Sequence, residues 1–498
     1  MKIFSVALSP HDHNTYDGKF HNQRERYTRR KHNVPWHYDA YAHHSDADKM
    51  NQDDNSAGIE FYDEYFKPED HELLAFTTTI GGLHQIPHHN IDQEFLDFRP
   101  RKLWDYLQKD NLYYIDHHQS HAAYAYLSSG YSESDILAID GRGWKFNCIF
   151  IDKDGNITDL SDKMSIGILW NYFSKQLGFG HLGAGKLMGL AGYGEYQYGI
   201  HAVIDYYSNN DFNFPNKMDK IFEQYIPEDI AYTLQYATQE LIEENIYPLK
   251  SCDNICIAGG VAYNGYMNEE FTKHYTGVHV PPAPGDEGQS LGTYMHADYV
   301  LNNNVHIPDT YGGKSYRYKG EEKVDLKEVA QAIADGAIVG WFQGKSESGN
   351  RALGNRSILA DPRNPDIKDI INSSIKMRED FRPFAPSVLE EHYQDYFDTN
   401  QPSPYMSRIM PVKSDKIPGV THVDGTARIQ TINRKQNRKY YDLINEFYKI
   451  TGIPMLLNTS FNCREPIVET PQQAIRTFEE TEMDLLVIND YILRKMGR

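Results

Sequence analysis

Cysteine is scarce: Cys148, Cys252, Cys256 and Cys463 are four in 498 residues, with no paired C-x-x-C spacing. Neither a disulfide framework nor a zinc knuckle is expected from that spacing, and a reduced, cytoplasmic compartment fits it. Long apolar runs are missing too. The opening MKIFSVALSPHDH has one Lys and an apolar run that stops at Ser9-Pro10, too short for a signal core or a membrane span. No other stretch reaches the roughly 18 apolar residues that a spanning helix needs, so no membrane partner is expected. Nor is positive charge in excess: 50 Lys and Arg face 70 Asp and Glu, a formal net charge of -20. That argues against a broad electrostatic grip on nucleic acid but leaves room for a local basic groove. No internal repeat or low-complexity tract is visible.

What is present is length enough for two to four domains, each with its own core, and 37 tyrosines, which offer hydroxyl-bearing aromatic surface or ordinary half-buried packing. The most informative stretch runs from Asp116 to Trp144. His117 and His121 stand four apart in an Ala-rich segment that ends at Ser128-Ser129-Gly130, so on a helix both imidazoles share one face. An apolar strand then delivers Asp140 into Asp-Gly-Arg-Gly. Far downstream, PPAPGDEGQSLG puts Asp286 in another Gly/Pro turn. Two imidazoles and two carboxylates suit a divalent Fe, Zn or Mn. The plain alternative is a pair of surface or capping histidines.

Along the chain, Ile3 to Leu8 reads as an opening strand, followed by His11, Asp12 and His13 and the Asp17-Gly18 turn signal. Arg24, Arg26, Arg29, Arg30 and Lys31, interleaved with Tyr27 and Trp36, fit either a phosphate-tracking surface or a solvated helix face. Residues 39–70 read as a loop-rich insertion. Asn147 to Ile157 predicts a hairpin turning at Asp154-Gly155. Ser165 to Tyr193 predicts a helix followed by a Gly-rich loop around Lys186, either a phosphate cradle or tight packing. Ile221 to Leu249 predicts one amphipathic helical region. A strand over Asn254 to Ala258, then Gly259-Gly260 and Asn264, has the layout of a nucleotide-binding turn in an α/β domain. The shift to Asn, Gly, Lys and Tyr between His296 and Asp325 predicts a domain boundary. Beyond it, Lys345, Arg351, Arg356 and Arg382 sit beside Gly, Asn or Pro, where loops present cationic groups to a compact polyanion. Structural ion pairing in an acidic protein is the competing account.

Taken together, HHQSHAAYAYLSSGY with AIDGRGW, GKLMGLAGYG, IAGGVAYNGYMN, PPAPGDEGQSLG, GWFQGKSESGNRALGNRSILADPRNP, FRPFAPSVLEE, HVDGTARIQT and LLNTSFNCREPIV occur in an order that resembles one family. It is the ATP-dependent O-carbamoyltransferases of nodulation-factor and antibiotic biosynthesis, the NodU/CmcH type, and the resemblance covers most of the chain from Asp116 onward. It implies an α/β protein in two parts. Residues 1–310 are expected to form an actin-like ATPase-type (ASKHA) carbamoyl-transfer domain with His117, His121, Asp140 and Asp286 as metal ligands. Residues 326–498 are expected to form a YrdC-like domain that makes carbamoyl-adenylate from carbamoyl phosphate and ATP, with Mg accompanying the ATP. Catalytic roles are expected for His11, as base toward the acceptor hydroxyl, and for Lys345, Arg351 and Arg382. Cofactor binding is expected at Lys186, Gly259, Gly260, Asn264, Arg356, Lys376, Arg378, Asn458 and Arg464.

Three places depart from the family pattern. HDHNTYDG is shorter than the usual N-terminal motif, Ser348-Gly349-Asn350-Arg351 replaces Phe-Gly-Pro-Arg, and the loop before Glu465-Pro466 is about one residue shorter. The first points to a remodelled acceptor side. Basic residues with Tyr27, Trp36 and Tyr38 would suit a hydroxymethylated pyrimidine such as hydroxymethylcytosine in phage DNA. A sugar or antibiotic-like small alcohol is the alternative acceptor. The oligomeric state is left open. Two other classes compete: an iron oxygenase with a two-His-one-carboxylate triad, which needs no polyphosphate cradle, and a nucleotide-binding regulatory module without turnover.

Overall fold

A computed structural model describes residues 1–8, 13–23, 26, 71–78, 112–141, 145–180, 183–208 and 219–495. His11, and all of the basic run except Arg26, lie outside the described residues. The first sheet is built from β1 (Ile3–Leu8), β2 (His13–Tyr16), β3 (His21–Gln23), β4 (Leu73–Thr78) and β5 (Leu112–Tyr114) in the order β3-β2-β1-β4-β5. The first three strands form an antiparallel meander that turns at Asp17-Gly18, and β4 and β5 run parallel to β1. The second sheet repeats the scheme with β6 (Asp135–Ile139), β7 (Cys148–Ile151), β8 (Ile157–Asp159), β9 (Asn254–Ala258) and β10 (Gly277–His279), in the order β10-β9-β6-β7-β8. Again a meander lies on one side of the first strand and a parallel pair on the other. This backbone repeat is invisible in the sequence because strand order constrains hydrophobic pattern and turns, not residue identity. It is in keeping with the actin-like expectation for the N-terminal half.

Two helices cross between these sheets: α1 (His117–Ser129) and, further along the chain, a helix over Gln289–Asn302. Asp116 caps α1 by accepting the His118 N–H at 2.9 Å, and Gly130 ends it at φ 74°. A Cβ on Gly292 would come within 2.1 Å of the Ser120 carbonyl oxygen, so the two helices meet backbone against backbone. Between the crossing partners run α2 (Ile166–Gln176), α3 (Ala184–Leu190) and α4 (Pro227–Asn245); the Gln289–Asn302 helix is α5. Two expectations are corrected here. The stretch around Lys186 is the seven-residue helix α3, not a loop, because Ala, Lys, Leu and Met favour helix and its glycines allow close packing. The region from Ile221 to Leu249 is not one helix: a helix over Asp219–Gln224 stops, and Pro227 opens α4 at its first turn.

After α5 the chain passes through an irregular stretch into a mixed eight-stranded sheet. Its strands are β11 (Glu322–Lys323), β12 (Val339–Phe342), β13 (Arg356–Ala360), β14 (Ala385–Leu389), β17 (Gln430–Ile432), β18 (Met455–Ser460), β19 (Leu485–Ile488) and β20 (Tyr491–Arg494). α6 (Leu326–Ala334), α7 (Arg438–Thr451) and α8 (Pro471–Glu480) complete a separate core around Trp341, Phe447 and Phe461. Between β14 and β17 the chain forms a small two-stranded sheet, β15 (Ile409–Pro411) with β16 (Thr426–Arg428). This sheet grips the N-terminal half. Ile409 joins the core of the second sheet, and Asn268 donates to the Ser407 carbonyl at 2.7 Å.

Buried Arg408 completes the grip, with its guanidinium 3.2 Å from Glu269 and donating to the Pro402 carbonyl at 2.8 Å. Burial raises the Glu269 pKa, and Arg408 opposes that shift. Arg408→Ala strands Glu269 in a low-dielectric contact and is expected to cost about 3–5 kcal/mol. Chemical denaturation would show a clear fall in the midpoint, and an unchanged midpoint would mean that the pair contributes nothing.

Candidate functional site

Four side chains from three segments converge where α1, the end of β6 and the turn before α5 meet. His117 and His121 lie one helical turn apart on the buried face of α1. Asp140 follows β6, and Asp286 opens the turn into α5. One ligand atom from each of the four lies within 4.8 Å of the others. His117 Nε2 is 3.0 Å from Asp140 Oδ2 and 3.3 Å from Asp286 Oδ1, and His121 Nε2 is 3.3 Å from Asp286 Oδ1 and 3.8 Å from Asp140 Oδ2. All four are buried. Burial disfavours a charged His121, yet the nearby carboxylates of Asp140 and Asp286 push its pKa up to about 9. Asp140 is held well below the usual carboxylate range: burial acts upward, and the two histidines overcome it. Without a cation, then, the two carboxylates favour the protonated form of His121. The His121 Nε2 meets no hydrogen-bond geometry despite its burial, and a buried polar atom without a partner is costly. Two imidazole nitrogens and two carboxylates around one point are a donor set for a divalent transition metal, so the residues fit the metal implied by the sequence.

The surrounding backbone is built to hold these ligands. Gly260 donates its N–H to Asp140 Oδ1 at 2.8 Å. Gly259, at φ 99°, passes so close to β6 that a Cβ would lie 2.0 Å from the Ile139 carbonyl oxygen. The Gly-Gly turn expected at a cofactor therefore clamps Asp140. Gln289 donates to the His117 carbonyl at 3.1 Å, and Ser120 to the Gln289 carbonyl at 2.9 Å, tying α1 to α5. Asn264 caps the next helix by accepting the Met267 N–H and donates to Gln235, so its side chain is spent locally.

Next to this quartet lies a cluster of guanidinium groups. Arg351 stands over the Tyr263 ring at 5.0 Å, and Arg378 over Phe384 at 4.7 Å. Arg382 is 3.5 Å from Glu379, which also accepts from Lys186 of α3 at 2.7 Å. Arg428 of β16 completes the group. Its pKa is driven well below the usual range by burial first, then by repulsion from Arg351, Arg378 and Arg382. Burial, followed by the charge of Arg382, brings Arg378 down to about 9. Buried Nε atoms of Arg351 and Arg428 have no hydrogen-bond partner. Four cations held together against their mutual repulsion make a site for a compact anion. Sequence reading placed three of them here and missed the fourth, because Arg428 joins only through the β15–β16 pairing.

Other expected residues lie elsewhere. Lys376 donates to Ser460 Oγ at 3.2 Å and to Asn462 Oδ1 at 2.7 Å, bridging to the end of β18. Arg356 is fully buried, stacks on Phe342 at 3.6 Å and donates to the Gln343 carbonyl at 2.6 Å. Asn458 donates from Nδ2 to the Ala352 carbonyl, Ser387 Oγ and Gln430 Oε1. Arg464 is exposed and reaches the Met377 carbonyl at 3.3 Å. Lys345 faces Asp309 and the Phe20 ring across the two halves.

His121→Ala should leave the fold intact, since one imidazole is lost from a well-packed helix, but should remove the metal. After reconstitution with Zn2+ or Mn2+ and desalting, elemental analysis is expected to show at least about a 10-fold loss of retained metal relative to the unmodified chain. Full retention in the variant would rule this quartet out as the metal centre.

Comparison with known proteins follows the same division. Residues 64–295 match the family described as Carbamoyltransferase N-terminus, and residues 330–495 match Carbamoyltransferase C-terminus. The uncharacterized protein sll1178 of Synechocystis sp. is 34% identical over 473 residues, 78% of this chain and 77% of its own length. Nodulation protein NolO of Bradyrhizobium diazoefficiens is 33% identical over 432 residues, 76% of this chain and 79% of its own. Among solved structures, the activator of the 2-hydroxyisocaproyl-CoA dehydratase from Clostridium difficile with bound ADPNP aligns with 61% of this chain and 97% of its own, at 11% identity and a TM-score of 0.37. The histidine and aspartate quartet falls in the first matched stretch and the arginine cluster in the second, and by these matches the chain belongs to the carbamoyltransferase family.

Proposed function

We propose that this carbamoyltransferase uses carbamoyl phosphate and ATP, through carbamoyl-adenylate, to carbamoylate an acceptor hydroxyl. The observation that carries this reading is the convergence of Arg351, Arg378, Arg382 and Arg428 beside the buried quartet, with Glu379 the carboxylate ion-paired among them. Carbamate is a poor acylating agent, and linking it to AMP supplies a good leaving group. In balance, carbamoyl phosphate, water and ATP give carbamoyl-adenylate, phosphate and pyrophosphate. The acceptor oxygen then displaces AMP and loses its proton.

Residues 326–498, proposed as YrdC-like, carry the first step, and residues 1–310, proposed as ASKHA-like, carry the second. In the first step the guanidinium groups offset the charge that builds on the phosphates, which arrive with Mg. Arg351 and Arg378 are oriented in advance by their aromatic supports, and Arg382 by Glu379. A divalent metal on His117, His121, Asp140 and Asp286 would act as a Lewis acid toward a phosphate oxygen. His11 stays the proposed base for the acceptor on the strength of the sequence motif.

One observation favours a small alcohol over a modified base in DNA as acceptor. Arg26, from the basic run, is buried; it donates to the Gly349 carbonyl at 2.7 Å and lies 3.7 Å from Glu469. A cation engaged in that way adds nothing to a phosphate-tracking surface. The iron-oxygenase reading has no support from the family and leaves the second carboxylate of the quartet without a role.

The two steps should separate. Arg428→Ala is expected to lower pyrophosphate release from carbamoyl phosphate and ATP by about 100-fold or more. His121→Ala should keep most of its pyrophosphate release while losing transfer to a panel of sugars, aminoglycosides and hydroxymethylcytosine-containing DNA, followed by mass. Equal loss of pyrophosphate release in both variants would mean that the two sites do not divide the chemistry this way.

A further inference from the structure

One side chain links the two sites. Tyr263 ends the turn that begins at Gly260, the residue whose N–H holds Asp140. Its ring lies beneath the Arg351 guanidinium at 5.0 Å. Its hydroxyl donates to Glu287 Oε1, and Glu287 directly follows Asp286. The backbone of Asn350, the residue before Arg351, hydrogen-bonds back to the same hydroxyl. Glycines make this closeness achievable. A Cβ on Gly285 would lie 2.7 Å from Glu287 Oε2 and 3.2 Å from Tyr263 Cε2, and the Gly285 N–H donates to Glu287 Oε1 at 3.1 Å. A Cβ on Gly349 would lie 2.3 Å from the Pro282 carbonyl oxygen, so the turn bearing Arg351 rests directly on the loop bearing Asp286.

We propose that Tyr263 is a positioning residue shared by the two sites, holding Arg351 and the Asp286–Glu287 backbone in one register, so that filling the metal centre tightens the arginine cluster on a nucleotide phosphate. The inference rests on the proposed reading of that cluster as the site for the adenylate phosphate. A cation bound to Asp286 fixes the start of the turn into α5. Glu287 is the next residue, and its carboxylate is tied by a charge-assisted hydrogen bond to Tyr263. Tyr263 carries Arg351 on its ring face, where a shift of the ring moves the guanidinium with it. The coupling is reciprocal: a phosphate that settles Arg351 also settles the turn that holds Asp286. A tyrosine that only filled space would contribute to stability and leave the two binding events independent.

The test measures AMP binding, because AMP carries the phosphate released in the transfer step and needs no added Mg. Equilibrium dialysis gives the AMP Kd for Zn2+-loaded, desalted protein and for chelator-stripped protein. In the unmodified chain the loaded form should bind AMP on the order of 5-fold or more tightly than the stripped form. Tyr263→Phe keeps the ring under Arg351 and removes the hydroxyl, and should bring that ratio close to unity. Glu287→Gln removes the charge from the same hydrogen bond and should lower the ratio as well; it decides the matter if Tyr263→Phe does not fold. Combining both changes should lower the ratio no further than the larger single effect, the behaviour of two groups acting through one contact. A ratio unchanged in both single variants, or a ratio of unity in the unmodified chain, overturns the proposal. Failure of the underlying reading looks different: the unmodified protein would release no pyrophosphate from carbamoyl phosphate and ATP.

Discussion

Backbone lying directly on backbone is the constraint on which the two sites depend. It occurs at Gly292 against Ser120, where α1 crosses α5, at Gly259 against Ile139, where the second sheet turns out, and at Gly349 against Pro282, where the C-terminal half meets the N-terminal one. At each contact any side chain would intrude by more than a rotamer change can relieve. The first contact sets the spacing of the two imidazoles from Asp286, the second sets Asp140, and the third sets Arg351. Helix and strand propensity build the frame, but these three near-contacts fix the coordinates of the chemistry. Gly259 and Gly349 also occupy the left-handed region at φ 99° and 88°, where a residue with a Cβ would be strained even with space available.

Charge explains why the sites are neighbours rather than merely close. The quartet carries two carboxylates, whose charges shift the His121 pKa upward. The arginine cluster has the opposite difficulty, with pKa values pressed down by burial and by its own members. Each site has an excess that a ligand of opposite sign would remove: a cation for the first, a phosphate for the second. Glu379 meets part of the second excess, with Lys186 brought in from α3 to hold it. That ion pair spans the two halves and is partly exposed, so water screens it and it orients more than it stabilises.

The histidine and aspartate quartet was legible in the sequence because each signal was local. The i,i+4 histidines sat between a capping Asp116 and a terminating Gly130, and each carboxylate stood next to a turn-forming glycine, Gly141 after Asp140 and Gly285 before Asp286. The strand at Asn254–Ala258 and the hairpin at Asp154-Gly155 were legible for the same reason. What was not legible depended on residues brought together from far apart. Lys186 sits on a helix, not a loop, because its glycines serve packing against the C-terminal half, as where Gly189 faces Pro383. Asn264 and Arg356 look like ligand-binding residues in sequence, and both make hydrogen bonds to protein partners that no local pattern announces. Arg428, Tyr263 and Glu287 were missed because their meaning arises only when β15 and β16 pair and the Ser348–Arg351 turn settles on the Pro282–Glu287 loop.

With Ser348-Gly349-Asn350-Arg351 in place of Phe-Gly-Pro-Arg the turn lacks its proline, yet it is pinned from both sides. Arg26 donates to the Gly349 carbonyl, Ser348 donates its N–H to the Thr310 carbonyl at 2.8 Å, and the Asn350 backbone meets Tyr263. These contacts do from outside the turn what a proline would do within it, since both remove alternative backbone conformations. They also come from three different segments: the N-terminal basic run, the stretch between the halves, and the turn that clamps Asp140. An acyl-adenylate is an intermediate that water destroys, so an enzyme that makes it gains by holding the making and the using groups at fixed separation. A turn tied to each of those segments keeps Arg351 in place whichever of them moves when substrate enters, and the tighter backbone of the family motif becomes unnecessary.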